Sequence, residues 1–184
     1  MSNKNQFLVN LPNITSGSFH KSVVYLQTHN GDGANGWIVN KQLDKSTASK
    51  LRLGMKLNIN TPIYYGGPVD VTNAYVIHSK DFYMPTTIEL NEHISVTRDR
   101  AVIDVLNMEQ FPEYWRIIVG SSNWGAGQLE SEILGSRTKG IGSWINTEFN
   151  YKLMWNTMPN EQWNKGIELC AQNMASKVLT CKSG

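Results

Sequence analysis

Apolar positions in this chain fall mostly in short runs separated by clusters of Gly, Asn, Asp, Ser and Pro, the pattern of strands broken by turns. Phe7 to Leu11 reads as a short strand. Ser22-Val23-Val24-Tyr25-Leu26-Gln27-Thr28 is a stronger one, rich in β-branched and aromatic residues. The segment His29-Asn30-Gly31-Asp32-Gly33-Ala34-Asn35-Gly36 is dense in residues that tolerate positive φ. Trp37-Ile38-Val39-Asn40 then returns, so residues 22–40 predict a hairpin with a long loop. Further strands are expected at Ile63-Tyr64-Tyr65, at Ala74 to His78, around Ile88, at Ile94 to Thr97 and at Trp115 to Val119.

Helical spacing is rarer. Asp44 can cap a helix running to about Leu53, with Gly54 as its stop. Asp99 to Met108 places Ala101, Val102, Val105 and Leu106 on one face. A helix from about Gln128 turns Leu129 and Ile133 inward, with Gln128 and Glu132 on another face and Glu130 pointing elsewhere. The last helix is expected from Asn160 as cap to about Val178, burying Trp163, Ile167, Cys170 and Met174. Strands predominate and helices are interspersed irregularly. This predicts an α+β single domain over residues 1–184, with a mixed, mainly antiparallel sheet.

The most distinctive stretch is Gly120-Ser121-Ser122-Asn123-Trp124-Gly125-Ala126-Gly127-Gln128-Leu129-Glu130-Ser131-Glu132-Ile133. It reads as a strand, a glycine-rich turn and a helix start, the parts from which many ligand sites are built. It lacks the Lys-Ser/Thr of a phosphate-binding loop, the third glycine of a dinucleotide fingerprint and the central Ser of a nucleophile elbow. Glu130 and Glu132 would repel phosphate from the helix start. Glu130 is instead expected to satisfy backbone donors, and Trp124 to anchor packing.

Composition narrows the function classes. A formal net charge of +2 and 17% charged residues describe an ordinary globule, with no concentrated basic face for nucleic acid. Lys45, Lys50, Arg52 and Lys56 read as a solvated helix face. No apolar run approaches the roughly 20 residues of a membrane span, and Phe7-Leu8-Val9 is too short for a signal-peptide core. With only Cys170 and Cys181, no disulfide framework is expected, and the default location is cytoplasmic. His20, His29, His78 and His93 are scattered without zinc-site spacing, so neither metal nor cofactor is expected.

The polar residues that can carry chemistry lie at strand ends and turns: His29, Asn30, Asn40, Gly66, Gly67, His78, Gln128 and Glu130. Each also has a structural reading. His29 and Asn30 can hold a loop, Asn40 can satisfy a buried carbonyl, and Gly66-Gly67-Pro68 can simply reverse the chain. His78 and Ser79 point to opposite faces of a strand and cannot act on each other. No catalytic residue is assigned. The preferred reading is a non-enzymatic binding or regulatory protein with an unidentified protein or small-molecule partner. The alternatives are a small hydrolase or transferase with His29 or His78 as base, and a direct DNA-binding regulator.

Taken in order, the segments resemble the AlgH/YqgE family of bacterial proteins, also called UPF0301. The resemblance runs over about residues 7–170. It begins at Phe19 with Ser22-Val23-Val24-Tyr25 and continues through His29-Asn30, Gly33-Ala34, Gly36 and Val39-Asn40-Lys41. Gly66-Gly67-Pro68-Val69, Val76-Ile77-His78, Ser95-Val96-Thr97 with Asp99, the Gly120 to Ile133 block, Trp144 and a Leu153-Met154-Trp155 strand complete it. The resemblance implies a strongly bent sheet, partly closed into a barrel and flanked by helices, with no established enzymatic activity. Some members carry a transcriptional-regulator label from genetic effects, which implies an indirect regulatory role without establishing DNA contact. Two departures stand out. Thr28 replaces the Glu that usually precedes His-Asn, leaving His29 without an acidic neighbour, and Gly135 to Gly142 looks like a small insertion.

Overall fold

A computed structural model describes residues 2–50, 61–99, 101–107, 112–136 and 142–181. The expected stop at Leu53-Gly54 and most of the Gly135–Gly142 segment lie outside them. The strands are β1 (Gln6–Asn10), β2 (Val23–Asn30), β3 (Gly33–Ile38), β4 (Ile63–Tyr65), β5 (Val69–Ser79), β6 (Thr87–Glu89), β7 (Ile94–Thr97), β8 (Trp115–Gly125) and β9 (Trp144–Glu148). The helices are α1 (Lys45–Lys50), α2 (Ala101–Asn107), α3 (Gln128–Leu134), α4 (Tyr151–Trp155) and α5 (Gln162–Cys181). The sheet runs β6-β7-β5-β8-β3-β2-β1-β9, with β4 joining β8 as the parallel pair in an otherwise antiparallel set. It curls into a half-barrel, the α+β architecture expected.

Both faces of the sheet are covered. Successive residues of a strand point to opposite sides. Thus Phe7 and Tyr25 join Trp37, Ile118 and Leu153 in one core, while Leu8, Val24 and Leu26 join Trp124, Leu129 and Trp144 in another. A third cluster beside α2 gathers Val76, Val102, Ile103 and Ile117.

Five local expectations are corrected. The residues 29–36 are not a long loop: β2 and β3 continue to Asn30 and from Gly33, leaving Gly31-Asp32 as the turn. Asn30 Oδ1 accepts the Asp32 N–H at 3.0 Å and closes it. Glycine serves close approach here, since a Cβ on Gly36 would stand 2.2 Å from the Tyr25 carbonyl oxygen. The glycine-rich stretch after Val119 is likewise strand. β8 runs unbroken through Ser121, Ser122 and Trp124, and only Ala126-Gly127 turns the chain into α3.

Leu153-Met154-Trp155 is helix α4, not strand; Asn150 Oδ1 caps it by accepting the Leu153 N–H at 2.8 Å. A short apolar run does not distinguish the two states, and the cap decides. In α5, which starts at Gln162, Cys170 is buried, but Met174 is exposed along with the rest of residues 171–176. On α2, Val102 is buried as expected, with Ile103 beside it, while Ala101 faces out.

Candidate functional site

The eight residues singled out in the sequence do not meet in one cavity. His29, Gln128 and Glu130 come together where the β2–β3 hairpin meets α3. His29 Nε2–H donates to Glu130 Oε1 at 2.8 Å, and its Nδ1 accepts the Asn3 N–H at 2.9 Å. The missing acidic neighbour of His29 is thus supplied from across the fold. Both ring nitrogens are occupied, which fixes the tautomer. Glu130 does act at the helix start, as expected. Its own backbone N–H, then the His29 hydrogen bond, hold its carboxyl below the usual carboxylate range.

One turn further on, Glu132 is the centre of the junction. Its Oε2 accepts the indole N–H of both Trp124 (3.0 Å) and Trp144 (2.8 Å), and its Oε1 accepts Gln128 Nε2 at 2.9 Å. Gln128 Oε1 in turn accepts the Gly125 N–H at 3.1 Å. The Trp124 ring stacks on Phe19 and meets Trp144 edge-on. This is a saturated hydrogen-bond network over an aromatic cluster.

The remaining candidates hold the scaffold. Asn40 Oδ1 accepts the Val23 N–H at 2.8 Å, and its Nδ2 donates to the Lys21 carbonyl at 2.9 Å. The Gly66 N–H donates to the Val119 carbonyl, and the Gly66 carbonyl accepts from Ile38 N–H and Ser122 Oγ–H. Gly67 has φ 144°, with a would-be Cβ 2.3 Å from the Ser121 carbonyl oxygen, so β8 presses directly on this turn.

His78 is fully buried. Met84 N–H donates to Thr87 Oγ1 at 2.9 Å, Thr87 to Thr97 Oγ1 at 2.8 Å, and Thr97 to His78 Nε2 at 2.9 Å. His78 Nδ1–H then donates to the Ser79 carbonyl at 2.8 Å. Every donor in this chain has one acceptor, and burial pushes the His78 pKa down, keeping the ring neutral. Among the described residues, no three His, Cys, Asp or Glu side chains gather to hold a metal ion.

A site that sequence reasoning missed lies at the turn between α4 and α5. A cavity of about 380 Å³ opens there, lined by Tyr64, Arg116, Trp155 and Met158, with Glu113 and Pro159 also on its wall. Arg116 is 6% exposed. Its Nη1 donates to the Val39 carbonyl and, at 3.1 Å, to Gln162 Oε1. Its guanidinium lies over the rings of Tyr64 (4.9 Å) and Trp155 (5.7 Å). Among the described residues no carboxylate pairs with it, Glu113 included.

Removing a cation from water without a counter-ion costs several kcal/mol. Burial accordingly pulls the Arg116 pKa down from its ordinary value. Trp155 also lines the cavity, and its indole Nε1–H is buried with no acceptor among the described residues, as is that of Trp37 in the core. Gln162 is fully buried and ties the turn together by donating to the Leu153 and Met154 carbonyls. The signal in the sequence was a single Arg inside the apolar run Trp115 to Val119.

The curled sheet and this arrangement of its loops define a fold shared with known proteins. The AlgH-like family, DUF179, matches residues 7–175, and the chain belongs to it. A UPF0301 protein of Vibrio vulnificus is 31% identical, with 90% of each chain covered. One of Wigglesworthia glossinidia brevipalpis is 27% identical over 97% of this chain and 98% of its own. The solution structure of AlgH from Pseudomonas aeruginosa superposes with a TM-score of 0.73 at 24% identity, over 92% of this chain and 89% of that one. A crystal structure of a Corynebacterium diphtheriae protein gives 0.64 at 16% identity, over 88% and 83%. No helix among the described residues is long and apolar enough to cross a membrane.

Proposed function

We propose that this chain is a non-enzymatic binding protein, and that its working site is the Arg116 cavity, not the glycine-rich turns. One observation carries the reading: Arg116, a buried guanidinium without a counter-ion among the described residues, and Trp155, whose buried indole N–H has no acceptor among them, line the same cavity. Buried polar groups ordinarily find partners, so an unneutralised guanidinium beside an unpaired indole calls for an acidic ligand. Ligand binding there would give the protein any regulatory role it has.

The hydrolase or transferase reading lacks its base, because His29 and His78 each have both ring nitrogens engaged. For direct DNA binding, Lys45 and Lys50 stand on a helix of six residues with no buried residue to seat it firmly. A cytoplasmic location fits the buried free thiol of Cys170.

The test is a thermal-shift screen of small organic acids against the wild type and Arg116→Met. Acids are expected to raise the wild-type midpoint and leave the variant unmoved. Turnover of any metabolite in a broad panel, lost on His78→Ala or His29→Ala, would overturn the reading.

A further inference from the structure

A second hollow, of about 240 Å³, lies on the other flank of the same turn, lined by Lys21, Asn40, Lys41 and Trp163 among others. Pro159 lines both hollows, and Arg116 donates to the carbonyl of Val39, the residue before Asn40-Lys41. The two therefore share a wall.

The second hollow is one-sided in charge, whereas the first carries Glu113 on its wall beside Arg116. Its lining contains no Asp or Glu. Among the described residues neither Lys21 nor Lys41 pairs with a carboxylate, whereas Lys80 and Lys165 do. Among the described residues Lys41 Nζ reaches only the Ser18 carbonyl, at 2.6 Å, and Lys21 Nζ stands 5.4 Å from the centre of the Trp163 ring. Lys21 is also held in an unfavourable backbone state, φ 51°, by Asn10 Oδ1 on its N–H and Asn40 Nδ2 on its carbonyl. A non-glycine residue in that region persists only where its surroundings enforce it. Trp163 and Asn164, from the first turn of the twenty-residue helix α5, complete the wall at the positive end of the helix dipole. Three cations without acidic partners thus surround one short turn.

We infer that the two hollows form one bipartite site for an elongated small molecule bearing two carboxylates, one seated on Arg116 with Trp155 and the other on Lys21 with Lys41. This rests on the binding reading above and adds the class of ligand. The free edge of Arg116 favours a carboxylate at the first position. Its Nη1 is engaged by Val39 and Gln162, and the Nη2 and Nε donors, unengaged among the described residues, form a planar fork. The hollows, at about 380 and 240 Å³, suit the two ends of a metabolite-sized ligand better than a folded partner.

The experiment is isothermal titration calorimetry of the full chain with linear α,ω-dicarboxylates of increasing length and with monocarboxylates of matched length. The best dicarboxylate is expected to bind roughly ten-fold tighter than its monocarboxylate partner. The double variant K21Q/K41Q should reduce that ratio to about one, while K21R/K41R keeps it and Arg116→Met abolishes binding of both classes. Equal affinity for mono- and dicarboxylates, both lost in Arg116→Met, would overturn the bipartite site and leave the Arg116 reading standing. Binding of none of these acids, or binding insensitive to Arg116→Met, would overturn both. Capture of an acidic peptide with no response to free dicarboxylates would overturn the small-molecule assignment.

Discussion

The junction around Glu132 and the turn around Arg116 are built from the same materials, a charged side chain beside tryptophans, but they are opposite in their accounting of charge and donors. At the junction one carboxylate receives two indole N–H groups and an amide, and neighbouring His29 has both nitrogens engaged. At the turn the guanidinium has two rings and two neutral oxygens but no anion, and Trp155 has no acceptor. The first region stabilises the fold. The second is incomplete without something from outside, and incompleteness in a buried polar group is the better indicator of a binding site.

The largest effect is expected on β8, the strand that carries Arg116 near one end and Trp124 near the other. Gly120 has φ 77°, and a Cβ there would stand 2.4 Å from the Gly67 carbonyl oxygen. Gly120→Ala therefore combines backbone strain with overpacking and is expected to destabilise by roughly 4 kcal/mol in urea unfolding. Next comes Glu132→Ala, which leaves Trp124 and Trp144 with buried, unpaired N–H groups. A loss of about 3 kcal/mol is expected by the same measurement.

At the turn, stability should respond less. Arg116→Met relieves the desolvation of an unneutralised cation but leaves the Val39 carbonyl and Gln162 Oε1 without their donor, and these opposing effects should keep its unfolding free energy within about 2 kcal/mol of wild type. A loss as large as that of Glu132→Ala would mean that the guanidinium is a structural element and would erase the distinction between the two regions.

The smallest effect is the acid response of Glu130. Its carboxyl is held below the ordinary value of 4.5, so the folded state stabilises the ionised form. That contribution is present above the unfolded value and is lost as pH falls through the folded one. Glu130→Gln should lower stability slightly at neutral pH, where the contribution is present, and flatten its fall below about pH 4.5, so that the two profiles converge in acid; the effect is small because the side chain is 48% exposed. A stability–pH profile of the two proteins measures it.

Much of the fold was legible in the sequence because its apolar runs are strands in place, and because the cap at Asp44 and the α3 face of Leu129 and Ile133 obey local rules. The failures were of a different kind. β8 could be followed past Val119 only by knowing that β3 and the Gly66-Gly67 turn press against it, which is a tertiary fact. Leu153-Met154-Trp155 is ambiguous by periodicity and was resolved by Asn150. At the candidate sites the gap was wider. The His29–Glu130 pair spans 101 residues of sequence, and no local spacing announces it. Arg116 was visible as a charge inside an apolar strand, but its lack of a counter-ion emerges only when the neighbours from β4, α4 and α5 are assembled around it.

The central claim, that the turn holds open donors and the junction does not, is tested most directly by the indole N–H resonances of the six tryptophans during a dicarboxylate titration. The Trp155 resonance is expected to move downfield and saturate as its N–H gains an acceptor, while Trp124 and Trp144, already bonded to Glu132, stay in place. A Trp155 resonance that holds its position at saturating ligand, or a titration that moves Trp124 and Trp144 instead, would contradict it.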